Sequence, residues 1–112
     1  MRSRLNHIKN WAELAALASY NVHKLAEVCK VSERQLERFF IETLDKTPHL
    51  WLTELRQNQA LTLMKRGMTV KETAANLSYR QAGHFSREFK RFFGFTPTGI
   101  AEDYSANVAF RY

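Results

Sequence analysis

Little in this 112-residue sequence breaks a helix, for it holds only 4 Gly and 2 Pro. That scarcity argues against an all-β fold, which needs many turns, and against disorder. Cys29 is the only cysteine, so neither an internal disulfide nor a cysteine-rich zinc site can form. His7, His23, His49 and His84 show no spacing that would gather metal ligands on one helix face. No apolar run approaches the roughly 18 residues of a membrane span, and no signal peptide opens the chain. A cytoplasmic protein without a membrane partner is expected. A nucleophile–base pair, a metal motif and a glycine-rich phosphate loop are all missing, so no enzyme and no cofactor are expected.

Apolar residues are plentiful, at 45% with 8 Phe and 2 Trp, enough to fill the core of one compact domain. A formal charge of +6 favours an anionic partner.

The most informative feature is an internal repeat. Residues 25–48 overlay residues 73–97 once one inserted residue is allowed in the turn. Ala26 then meets Ala74, Cys29 meets Leu77 and Val31 meets Tyr79. Beyond the insertion, Leu36 meets Phe85, Arg38 meets Arg87, Phe40 meets Phe89, Leu44 meets Phe93, and Thr47-Pro48 meets Thr96-Pro97. A shared small residue, an outward arginine and a Thr-Pro pair in one register are not cheap coincidences. By its match to Leu77, Cys29 is expected to be a buried small apolar residue.

Each copy predicts a short helix, a tight turn and a longer helix. In the first, Leu25, Ala26 and Cys29 share a face, Ser32 to Gln35 form a capping box, and Leu36, Phe39, Phe40 and Leu44 continue as a stripe. In the second, Thr69 to Glu72 form the capping box of a helix through about Leu77. The helix after it carries Phe85, Phe89, Phe92 and Phe93 and ends at Gly94. Between the copies, Thr47 as N-cap and Pro48 at the first position open a helix that Gly67 closes. Its apolar surface comes from Leu50, Leu52 or Trp51, Leu55, Ala60, Leu61 and Met64. An amphipathic helix with Ile8, Trp11, Leu14, Ala15 and Ala18 precedes the first copy, and a short helix from Thr96-Pro97 to about Tyr104 follows the second. The expected fold is all-α with about seven helices. Residues 1–46 hold the N-terminal helix and first helix-turn-helix, 47–67 a long linker helix, 68–104 the second helix-turn-helix with a capping helix, and 105–112 a flexible tail.

This design suits double-stranded DNA. A helix-turn-helix crosses its helices steeply, so the residue at the close contact must be small, a role for Ala26 and Ala74. The second helix must bury one stripe and turn the other into a major groove about 12 Å wide. With Leu36, Phe40 and Thr43 buried, Arg34, Arg38 and Ile41 face outward and Glu37 lies at the edge. In the second copy Gly83, Arg87, Lys90 and Arg91 face outward, with His84 on the flank. Arginine is shaped for two hydrogen bonds to guanine O6 and N7. Residues 65–91 hold seven Lys or Arg against Glu72 and Glu88, or +5 of the chain's +6. Ser32, Arg80, Lys90 and Arg91 are assigned to phosphates. A linker of about 28 Å could set two reading helices roughly one DNA turn apart.

The run Ala82-Gly83-His84-Phe85-Ser86-Arg87-Glu88-Phe89-Lys90-Arg91-Phe92-Phe93-Gly94-Phe95-Thr96-Pro97 resembles the signature FSRxFKRxFGxxP of the AraC/XylS family of bacterial regulators. Leu25-Ala26 and Ser32-x-x-x-Leu36-x-Arg38-x-Phe40 resemble its first unit. The similarity covers about residues 8 to 104. It implies transcription control by two recognition helices in successive major grooves, in a cytoplasmic, nucleoid-associated protein. Arg34, Glu37 and Arg38 carry over as base readers in the first unit, and Gly83, His84 and Arg87 in the second. Most relatives attach an effector-sensing or dimerising domain, so a stand-alone member and an excised C-terminal domain are both compatible with the length.

Two departures stand out. Lys30 and Ser78 occupy turn positions where relatives usually carry glycine, and a left-handed conformation there costs each on the order of 1 kcal/mol. Gly83 sits where a longer polar side chain often reads bases, which leaves Arg87 and His84 to read. Glu37 could accept from cytosine N4 but repels phosphate. The competing function is a helical protein-interaction module, for example an RNA polymerase contact, that does not read DNA sequence.

Overall fold

Short polar side chains set where most of the helices begin. The computed structural model describes residues 4–98. After a 3-10 turn at Arg4–His7 come α1 (Trp11–Leu17), α2 (Val22–Val28), α3 (Glu33–Leu44), α4 (Pro48–Lys65), α5 (Val70–Asn76) and α6 (Ala82–Phe93), with no strand among the described residues. Asn21 accepts from the Lys24 amide at 3.0 Å and Thr47 from the Leu50 amide at 3.1 Å. Ser32 and Gln35 form a reciprocal capping box at α3, and Thr69 and Glu72 form another at α5. Each cap satisfies amides that a helix start leaves without partners, worth about 1 kcal/mol.

The all-α expectation stands. The helix expected after Thr96 opens at Pro97 and Thr98. Its course to Tyr104 and the tail at 105–112 lie outside the described residues. The N-terminal helix is shorter than expected, because Asn10 takes the N-cap position and Ile8 precedes it. Among the described residues, no helix is long and apolar enough to cross a membrane.

The chain divides into two compact units between Leu55 and Arg56, inside α4. In the first unit, Leu5, Ala15, Ala18, Leu25, Ala26, Leu36, Phe40 and Leu52 form the buried core. Trp11 and Trp51 pack edge-on against Phe40, with ring centroids 5.1 and 5.2 Å away. In the second unit, Ala60, Met64, Ala74, Leu77, Phe85 and Phe89 are buried. Phe89 also packs on Phe93 and Phe95. Fully burying a Leu or Phe side chain stabilises by about 1.5–3 kcal/mol, so leucines and aromatic rings together hold these cores.

Three expected core positions are corrected. Thr43 is exposed, and its hydroxyl donates back to the Phe39 carbonyl within α3. Leu44 and Phe92 are exposed as well. All three lie in the last turns of their helices, beyond the stretch seated on buried residues. Cys29 is only half-buried, because it caps the end of α2 where the chain turns toward the surface. Burial still raises its thiol pKa, which keeps it protonated.

Candidate nucleic-acid interface

The repeat read from the sequence is repeated in the hydrogen bonds. α2 and α5 each end on a capping residue, Cys29 and Leu77, followed by a residue in the left-handed region. That residue is Lys30, with φ 58°, in one turn and Ser78, with φ 66°, in the other. The next amide then reaches back five residues in both: Val31 donates to the Ala26 carbonyl and Tyr79 to the Ala74 carbonyl, each at 3.0 Å. Both turns therefore have the geometry that glycine would favour, built without glycine. Ala26 and Ala74 are buried. A larger side chain at either place would press against the second helix.

On α3, Leu36 and Phe40 are buried while Arg34, Glu37, Arg38 and Ile41 are exposed. Ser32 is exposed at its N-cap, its oxygen accepting from the Gln35 amide at 3.1 Å. On α6, Phe85 and Phe89 are buried while Gly83, His84, Arg87, Lys90 and Arg91 are exposed. Arg80 is exposed in the turn before it. Among the described residues, none of these arginines, nor Lys90, makes an ion pair with a carboxylate. The structure thus places Arg34, Glu37 and Arg38 at exposed positions of α3 in the first unit, with Ser32 at its N-cap. It places Gly83, His84, Arg87, Lys90 and Arg91 on one helix of the second, with Arg80 beside it.

A Cβ built on Gly83 would stand 3.7 Å from the Arg87 guanidinium Nη1, an ordinary contact, so this neighbour does not itself require glycine at that position.

The sequence did not reveal a polar chain around His84. Gln57, fully buried on α4, donates from Nε2 to the Tyr79 hydroxyl at 2.7 Å. Tyr79 donates to Glu88 Oε2, and His84 Nε2 lies 3.2 Å from Glu88 Oε1. The Arg56 guanidinium stacks 3.5 Å over the Tyr79 ring while its Nε donates to the Leu77 carbonyl. Burial, then the bond to Glu88, pushes the Tyr79 phenol above its ordinary range, so it stays protonated and donates. Among the described residues, no donor reaches the buried Gln57 Oε1. The signal available in the sequence was the i, i+4 spacing of His84 and Glu88. In the first unit, His23 stands between Glu27, at 2.8 Å, and Glu33, at 3.6 Å.

Comparison with known proteins agrees with this architecture. The helix-turn-helix domain family matches residues 25–103. The chain is 33% identical over 85 residues to the HTH-type transcriptional regulator YidL of Escherichia coli K12, covering 75% of this chain and 29% of that protein. It is similar to the DNA-binding domain of AdpA, a global transcriptional factor solved with a target DNA, at TM-score 0.71 and 26% identity, covering 89% of this chain and 96% of that one. It is also similar to an AraC-type transcriptional regulator from Chromobacterium violaceum, at TM-score 0.65 and 25% identity, covering 84% of this chain and 90% of that one. The chain spans 23–29% of the length of the first curated relatives it matches.

Proposed function

The chain belongs to the AraC-type helix-turn-helix family of transcription regulators, and from that premise we propose that it reads double-stranded DNA with α3 and α6 in successive major grooves and so regulates transcription. The observation that carries this is the duplicated presentation of arginine. Each second helix buries two apolar residues and holds its arginines exposed, without an ion pair among the described residues. In this reading Arg34, Glu37 and Arg38, and on α6 His84 and Arg87, face base edges. Gly83 lies with them on α6, while Ser32, Arg80, Lys90 and Arg91 hold phosphates. Residues 1–46 and 68–104 are the reading subdomains and residues 47–67 link them. The proposal extends to contact with RNA polymerase and to an effector-sensing or dimerising domain, as partners a regulator of this kind would use.

Binding to a labelled random-sequence duplex and to a selected one, measured over a range of salt, tests the function. Neutralised phosphates release counterions, so affinity should fall steeply with salt, and the selected duplex should bind more tightly at every salt concentration. Binding that ignores both salt and sequence would sink DNA reading and leave a protein-interaction module.

A further inference from the structure

The polar chain beneath α6 has a direction, and the direction fixes a proton. Tyr79 has one hydroxyl hydrogen, and its oxygen already accepts from Gln57 Nε2 at 2.7 Å. The hydrogen therefore goes to Glu88 Oε2. His84 Nε2 lies 3.2 Å from the other oxygen of Glu88, and a bare nitrogen lone pair facing a carboxylate oxygen at that distance would be repelled, so Nε2 is the nitrogen that carries the hydrogen. The neutral imidazole then carries its hydrogen on Nε2 and leaves Nδ1 as a bare acceptor. The ring is held as well as protonated, since it packs at right angles to the Tyr79 ring with 5.5 Å between centroids. Tyr79 in turn is buried under the Arg56 guanidinium and against Phe85. An exposed side chain is thus anchored, through Glu88 and Tyr79, to a fully buried amide.

On this basis, and resting on the DNA-reading function above, we propose that Tyr79 and Glu88 are positioning residues. They hold His84 in one tautomer and one orientation, so that Nδ1 accepts a hydrogen bond from an exocyclic amino group, adenine N6 or cytosine N4, in the major groove. Those two groups are the donors that base pairs offer there. Glu88 itself touches no base in this scheme, being turned toward Tyr79 and His84.

Two measurements test this. The first needs no DNA: imidazole nitrogen shifts should report His84 of the intact chain as the Nε2–H tautomer alone, and as a mixture in Glu88→Ala. Equal tautomer populations in both chains would overturn the anchoring. The second is sequence preference from a random DNA pool. Glu88→Ala and Tyr79→Phe should each lower discrimination three- to tenfold at one base pair, the same one that His84→Ala affects, and leave the positions read by Arg38 untouched. Adding Glu88→Ala to His84→Ala should change nothing further. A loss spread evenly over all positions would show a merely structural role. A further change in the His84→Ala background would show that Glu88 meets DNA directly. Either result overturns the proposal. An intact chain with normal tautomer behaviour and no sequence preference would instead remove the DNA-reading function, and base reading by His84 with it.

Discussion

Single residues in left-handed conformations mark where this chain departs from the easiest construction of its own fold. Lys30 and Ser78 adopt φ 58° and 66° at matching points of the two turns, where a Cβ crowds the backbone. Ser19, Tyr20 and Asp45 share the conformation, and no turn signal in the sequence announced those three. Ser78→Gly removes the Cβ strain but adds freedom to the unfolded chain, so the two effects partly cancel. A net gain of about 0.5–1 kcal/mol is expected, read as a higher urea midpoint at unchanged slope. A lower midpoint would show that Ser78 earns its place through interactions of its side chain. Gly83 is the opposite case: its backbone needs no glycine, and a Cβ there would make only an ordinary contact with Arg87.

At the scale of helices, the two capping boxes offer a comparison within one molecule. Gln35 closes the box of α3 and cannot titrate, whereas Glu72 closes the box of α5. Bonds to the Thr69 backbone amide, then to its side chain, hold the Glu72 carboxyl below its ordinary range. A lowered folded-state pKa gives a contribution that is fully present above the ordinary glutamate value of about 4.3 and is lost as pH falls through the lower folded value. The Thr69 amide proton shift should therefore titrate in acid in the native chain and stay flat in Glu72→Gln, while the Ser32 amide stays flat in both. A flat Thr69 amide in the native chain would contradict the box.

Helix crossings give a second test at this scale. Ala26 and Ala74 are buried at equivalent points, so Ala74→Leu should overpack α5 against α6 and cost about 1–3 kcal/mol in thermal or urea unfolding. A neutral result would mean the crossing tolerates bulk. Most of this level was legible from the sequence. Capping residues act through nearest neighbours, the apolar stripe repeats with the helix period, and the Ala-to-Ala register survived in the hydrogen bonds. The polar chain from Gln57 to His84 was not legible, because Gln57 and Tyr79 stand 22 residues apart and meet only after folding. Thr43, Leu44 and Phe92 carry the right period, but periodicity does not say where the partner surface ends.

Charge and duplication belong to the whole molecule. Residues 22–46 carry five cations (Lys24, Lys30, Arg34, Arg38, Lys46) and five carboxylates (Glu27, Glu33, Glu37, Glu42, Asp45), and so balance. Residues 65–91 carry seven cations against two carboxylates, and all seven cations are exposed. Sequence-independent attraction should therefore be led by the second unit. Lys90→Ala should weaken binding to all duplexes alike and reduce the salt slope by about 1, whereas Lys24→Ala should change it little. Equal effects from both would contradict the asymmetry.

Selection of bound sequences from a random DNA pool, carried out with the intact chain, Arg38→Ala and Arg87→Ala, bears most directly on the two-helix account. Two half-sites about 10 base pairs apart are expected, one blurred by each substitution with a loss of about 1–3 kcal/mol of discrimination at a defined base pair. A single half-site, or preferences that survive both substitutions intact, would contradict it.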